Sequence, residues 1–141
     1  MKNEEFGILD MQKALSSYVK REESVLHRKS KAYAGRIIKM VRHLSRDRSL
    51  RSLHDQVLRS GTSIYSNILE SEFAQSPADF ANKLSISLKE ANETIGWLEL
   101  LYEDGSIDEK SYDSMRKECE ELLALLISSI KTTKINQQLV K

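Results

Sequence analysis

Little in these 141 residues forces the chain to turn: there is one proline, Pro77, and there are five glycines. No stretch alternates Val, Ile, Thr or aromatic residues with polar ones over a strand's length. Long helices joined by short loops are therefore expected. Cys119 stands alone, which excludes an internal disulfide. Residues 1–7 hold no apolar run of the signal-peptide kind, and the longest apolar stretch, 122–127, is far too short to cross a bilayer. These absences point to a cytoplasmic protein with no membrane partner. Chemical signatures are missing too. There is no glycine-rich phosphate loop and no dinucleotide fingerprint. No Glu-x-x-His pair occurs of the kind that binds iron inside helix bundles. Cys119 lies on an apolar stripe, where a free cysteine behaves as a small hydrophobe. The expectation is a non-enzyme with no metal and no cofactor.

What is present is a globular balance of 40% apolar and 30% charged residues, with enough length for one core. Four segments carry helical periodicity. In the first, from about Ser24 to Arg46, the stripe is Leu26, Tyr33, Ile37, Met40, Val41 and Leu44, and Arg36, Lys39 and Arg42 lie outside it. In the second, from about Leu50 to Ala74, it is Leu50, Leu53, Val57, Ile64 and Ile68, with Gly61 in the gap. Leu58, Tyr65 and Leu69 widen that buried face. The third opens with Ser76 as cap, Pro77 in the first turn and Asp79 behind it. Its stripe runs Phe80, Leu84, Leu88, Ala91, Ile95, Leu98 and Tyr102, and Gly105 ends it. The fourth is expected to start at Ser106, with Glu109 completing a capping box. Its stripe is Met115, Cys119, Leu122, Leu126 and Ile130. Short connections make neighbours antiparallel, so the predicted fold is an all-α, up-down-up-down four-helix bundle over 24–135. Residues 1–23 are expected to be a separate helical arm, packed on the bundle, meeting another subunit or mobile, with Ile8, Met11, Leu15 and Tyr18 on one stripe interrupted by the charged run 20–23. Residues 136–141 form a polar, frayed tail.

The net charge of +1 hides an asymmetry. Residues 1–70 hold 14 Lys and Arg against 8 Asp and Glu, and residues 71–141 hold 8 against 13. Such a split suits an anionic partner, or two halves that attract each other within or between chains. Arg28, Lys29, Lys31, Arg42, Arg46, Arg48 and Arg51 fall off the apolar stripes and are the candidates for phosphate contact, which would be independent of sequence. No aromatic residue interleaves with them outside the core, so base stacking is not expected. The stretch Arg59 to Glu70 places Gly61 and several Ser, Thr and Asn inside a helix. Ser63, Asn67, Glu70 and Glu90, met by Arg36 or Arg59, would form an interhelix polar seam that fixes register or lines a groove. Arg36–His43, Arg48–His54 and Arg21–His27 also fit the permissive Arg-then-His spacing of HEPN-class ribonucleases, though an Arg-rich region produces such hits readily.

The stretch Arg59-Ser-Gly-Thr-Ser-Ile to Asn67-Ile-Leu-Glu70, then Ser76 to Phe80, Leu84-Ser-Ile-Ser-Leu-Lys-Glu-Ala-Asn-Glu-Thr and Trp97-Leu-Glu-Leu-Leu, resembles the bacterial four helix bundle protein family. Its members are encoded in 23S ribosomal RNA intervening sequences, and it includes the Avd accessory proteins of diversity-generating retroelements. The resemblance covers about residues 28–134. It implies the bundle already expected, assembly as a homo-oligomer (a pentamer), RNA or DNA as partner, and a reverse transcriptase as protein partner. The function it implies is that of a non-enzymatic, nucleic-acid-associated adaptor. An assembly module of unknown role is the alternative, and a HEPN-like ribonuclease is the second alternative.

Overall fold

The computed structural model describes residues 7–13 and 24–140. Residues 7–13 form a short helix, α1, on which Ile8, Leu9 and Met11 are exposed. Leu15, Tyr18 and the charged run 20–23 of the predicted arm lie outside the described residues.

Four helices follow: α2 (Val25–Leu44), α3 (Arg51–Ser71), α4 (Pro77–Asp104) and α5 (Glu109–Val140). Their ends are set by local hydrogen bonds. Ser24 caps α2, its hydroxyl accepting from the His27 amide at 3.1 Å. A single 3-10 turn, Arg48–Leu50, leads into α3, and Asp47 opens it by accepting from the Ser49 amide at 2.9 Å. At α4 the cap is reciprocal. Ser76 accepts from the Asp79 amide at 3.0 Å, and the Asp79 carboxylate accepts from the Gln75 amide at 3.2 Å. Gly105 closes α4 at φ 83°, a left-handed conformation that costs glycine nothing.

The start of α5 differs from the expected one. The amides of Ser106 and Ile107 both turn back to the Leu101 carbonyl, at 2.9 and 3.4 Å, to finish α4. The Ser106 hydroxyl also turns back, donating to the Asp104 carboxylate at 2.7 Å, so it does not cap the next helix. Ile107 is buried as a plug under the loop, and Asp108 is the cap instead, accepting from the Ser111 amide at 2.7 Å. That hydrogen bond holds the Asp108 carboxyl below its ordinary range.

Cross-helix contacts give the topology. Thr94 donates to Ser60 at 2.9 Å and Ser87 to the Ile64 carbonyl at 2.8 Å. Tyr33 donates to the Met115 carbonyl at 2.9 Å, and Lys29 meets Glu121 at 3.2 Å. In each pair residue numbers rise on one helix as they fall on the other. Consecutive helices are therefore antiparallel, α5 closes back on α2, and α2 and α4 sit on the diagonal. This is the expected up-down-up-down bundle. Ile37, Val57, Ile64, Leu84, Leu98, Leu101, Leu122 and Leu126 form its fully buried centre. Gly61 brings α2 and α3 together: a Cβ there would lie 2.7 Å from the Ile37 Cγ1. Tyr102, expected in the core, is 38% exposed and stacks on Tyr112, while Leu101 takes the interior position.

At about 1.5 Å per residue α5 runs ~48 Å against ~30 Å for α2, so it overhangs the bundle. Ile135 and Leu139 on the overhang are exposed. Among the described residues no helix is long and apolar enough to cross a membrane.

Candidate nucleic-acid interface

Helix α2 holds Arg28, Lys29, Lys31, Arg36, Lys39 and Arg42 and no acidic residue. Its buried face runs through Ser30, Tyr33, Ile37, Val41 and Leu44, and a helix advances 100° per residue, so the cations divide into two sets. Lys29 and Arg36 fall on the flank beside α5. Lys29 pairs with Glu121, and Arg36 pairs with Glu118 and donates to the Ser114 hydroxyl at 3.0 Å. Arg28, Lys31, Lys39 and Arg42 point away from the core, and Arg46 continues their line past the helix end; all five are exposed. Lys31, Lys39, Arg42 and Arg46 meet no carboxylate among the described residues. Arg28 and Arg42 lie ~21 Å apart along the helix, so the cations form a stripe rather than a cluster.

The remaining candidates, Arg48 and Arg51, lie at the α2–α3 corner. With Ser45, Asp47, His54 and Asp55 they line a cavity of about 260 Å³. A neighbouring cavity of about 250 Å³ shares Asp47 and His54 and adds His43 and Arg46. A larger groove of about 600 Å³ runs between the end of α2 and the α4–α5 loop, lined by Arg36, Lys39 and His43 among others. The seven predicted cations thus separate into Lys29, bound to α5; Arg28, Lys31, Arg42 and Arg46 on the stripe; and Arg48 and Arg51 at the corner. The added member of the stripe is Lys39, which sequence periodicity had already set outside the core.

The four residues of the predicted polar seam do not share one network. Asn67 donates to the Ser63 carbonyl at 2.8 Å within its own helix. Glu70 is exposed and pairs with Lys83 at 3.0 Å, and Glu90 pairs with Arg59 at 3.1 Å. Arg59 also grips Glu93, holding that carboxyl below its ordinary range. The polar groups buried between α3 and α4 are Ser60, Thr94 and Ser87, each three or four residues along its helix from an expected one.

Sequence reasoning missed one buried pair altogether. His27 at the start of α2 bonds through Nδ1 to Glu72 just past the end of α3. The two side chains are 3% and 4% exposed. The His27 ring packs perpendicular to the Tyr65 ring, with centroids 5.6 Å apart, and Glu72 Oε2 is enclosed with no partner. Among the described residues no group of three His, Cys, Asp or Glu could hold a metal ion. Cys119 is fully buried with its thiol on the Ala91 carbonyl at 3.3 Å. Burial pushes that thiol up to about 12, so it is no nucleophile at neutral pH.

Fold and surface define a four-helix bundle with one basic outer helix. The family model described as "23S rRNA-intervening sequence protein" matches residues 22–128, and the chain belongs to that family. It is similar to a crystal structure of a protein of unknown function from the S23 ribosomal protein family of Bacteroides thetaiotaomicron VPI-5482. The two are 48% identical with a TM-score of 0.74, over 76% of this chain and 96% of that one. No curated protein matches.

Proposed function

We propose that the protein is a non-enzymatic, homo-oligomeric adaptor that binds nucleic acid through the outer face of α2. One observation carries this reading. Five cations line that face, and four of them meet no carboxylate among the described residues, while the two cations turned toward α5 are paired. A helix without acids is electrostatically costly to assemble unless an anion lies nearby. Phosphate backbone is the anion a regularly spaced stripe suits, since Lys and Arg read it without regard to base. The family resemblance supports the same reading, and implies a pentamer and a reverse transcriptase as protein partner. Exposed Ile38, Leu100 and Ile127 offer apolar surface for a second copy. The Arg36–His43 pairing that a HEPN-like ribonuclease would use is weakened by the commitment of Arg36 to Glu118 and Ser114.

The test is anisotropy of labelled RNA and DNA duplexes at low and physiological salt, with light scattering to count subunits. Micromolar binding that falls steeply with salt supports the adaptor. Absence of binding at low salt overturns it and leaves assembly as the role of the charge asymmetry.

A further inference from the structure

His54 sits in the first turn of α3 and is 3% exposed. Its imidazole has no hydrogen-bond partner among the described residues, yet Glu72 Oε2 is the one fully enclosed side-chain polar atom without a partner. The His54 ring nitrogens therefore reach a surface, and that surface is the pair of corner cavities His54 lines. Arg48 and Arg51 wall one cavity, and Arg46 and His43 line the other. The corner is also where α3 begins, and its cap residue Leu50 supplies no side-chain acceptor to the first amides. The 3-10 turn runs straight into the helix and its Arg48 carbonyl already accepts the Arg51 amide, so the helix start adds the positive end of its dipole. Two acids share the site. Asp47 accepts from the Ser49 amide at 2.9 Å, which with a smaller attraction to His54 holds its carboxyl below the ordinary range, and Asp55 is exposed. Ser45 is spent on the Val41 carbonyl at 2.7 Å.

We propose that this corner is a phosphate-binding pocket, which anchors one phosphate group of a nucleic acid between Arg48 and Arg51 with an imidazole N–H of His54 at its base. Either neutral tautomer of His54 has an N–H to donate, as does the imidazolium. Two guanidinium groups supply forked, charge-assisted hydrogen bonds that fit a tetrahedral oxyanion. The pocket deepens the adaptor reading and rests on it for the source of the phosphate. The stripe on α2 would hold backbone in any register, and the pocket would fix one point of it.

The chain has three histidines, His27, His43 and His54, and His27 lies at the far end of α2, so their NMR signals report the site with an internal control. Three probes are titrated at constant pH and ionic strength: inorganic phosphate, a short oligonucleotide with a 5′-phosphate, and the same oligonucleotide with a 5′-hydroxyl. The expected result is a saturable shift of His54 with at least one oligonucleotide, and none of His27. A preference for the 5′-phosphate assigns the pocket to strand ends, and equal response to both assigns it to internal diesters. Arg48→Gln with Arg51→Gln should weaken binding about tenfold or more, and Asp55→Asn should tighten it, with urea midpoints confirming that both variants fold. Shifts of all three histidines together, no saturation, or a response to inorganic phosphate alone would overturn the proposal. Should the Arg48/Arg51 variant bind duplex RNA with unchanged affinity while loss of the α2 stripe abolishes binding, the pocket fails and the adaptor reading stands.

Discussion

One substitution, glycine to alanine, should have opposite signs at three positions of this bundle. At Gly61 the new Cβ would lie 2.7, 2.8 and 2.9 Å from three carbons of the Ile37 side chain. Ile37 is fully buried, so it has no open direction in which to retreat. Overpacking of this kind costs about 1–3 kcal/mol. Alanine in place of glycine within a helix returns about 1 kcal/mol, leaving a net loss of ~0–2 kcal/mol. At Gly35 and Gly96 nothing lies within 4 Å of the added atom. There the substitution should stabilise by about 0.5–1 kcal/mol. The difference between the sites is then ~0.5–3 kcal/mol, or roughly 2–10 °C in Tm for a domain of this size. Urea unfolding followed by helical circular dichroism, at one fixed protein concentration, measures it. Ile37→Ala alone should cost about 2–5 kcal/mol. Combined with Gly61→Ala the cost should fall short of the sum by ~1 kcal/mol or more, because the new methyl enters the vacated space. If Gly61→Ala stabilises as much as Gly35→Ala, the close approach of α2 and α3 is wrong.

Two further outcomes test the interior. His27→Ala should destabilise by about 3–5 kcal/mol in the same urea assay, because Glu72 is left buried without its partner; replacing both by leucine should cost much less, and equal losses would refute the pairing. Cys119 should resist alkylation at pH 8 in the native protein and react at least about a hundredfold faster in urea, since burial both covers the thiol and raises it; fast native labelling, followed by mass spectrometry, would contradict its place in the core.

Helix periodicity carried most of the architecture because the stripes are long and the loops short. Ser76, Pro77 and Gly105 are local signals, and each sits at the helix end its chemistry suggests. Ser106 misled because the closing turn of α4 takes both its amide, on the Leu101 carbonyl, and its hydroxyl, on the Asp104 carboxylate. That outcome depends on how the chain folds back after Gly105, which residue types alone do not mark. Tyr102 satisfied the helical spacing, but Leu101 beside it fills the core and lets the ring stack on Tyr112. The His27–Glu72 pair was invisible for another reason. Its members are 45 residues apart, and Glu72 lies beyond the last apolar position of α3. Once α3 is known to return antiparallel to α2, its end must lie beside the start of α2, which is the signal that could have found the pair. The basic candidates were readable as a set, but their roles were not. Lys29 and Arg36 are spent on α5 through helical phase alone.

Equal charge removal on the two sides tests the division of α2 into a paired flank and an outer stripe. Lys39→Gln with Arg42→Gln removes two charges from the stripe, and Lys29→Gln with Arg36→Gln removes two from the flank. Affinity for an RNA duplex is measured by anisotropy across a salt series for both variants. The stripe variant is expected to lose affinity, its log–log salt slope shrinking by about 0.9 for each phosphate contact removed, while the flank variant binds nearly as the wild type does. Equal loss in the two variants, or loss only in the flank variant, would contradict it.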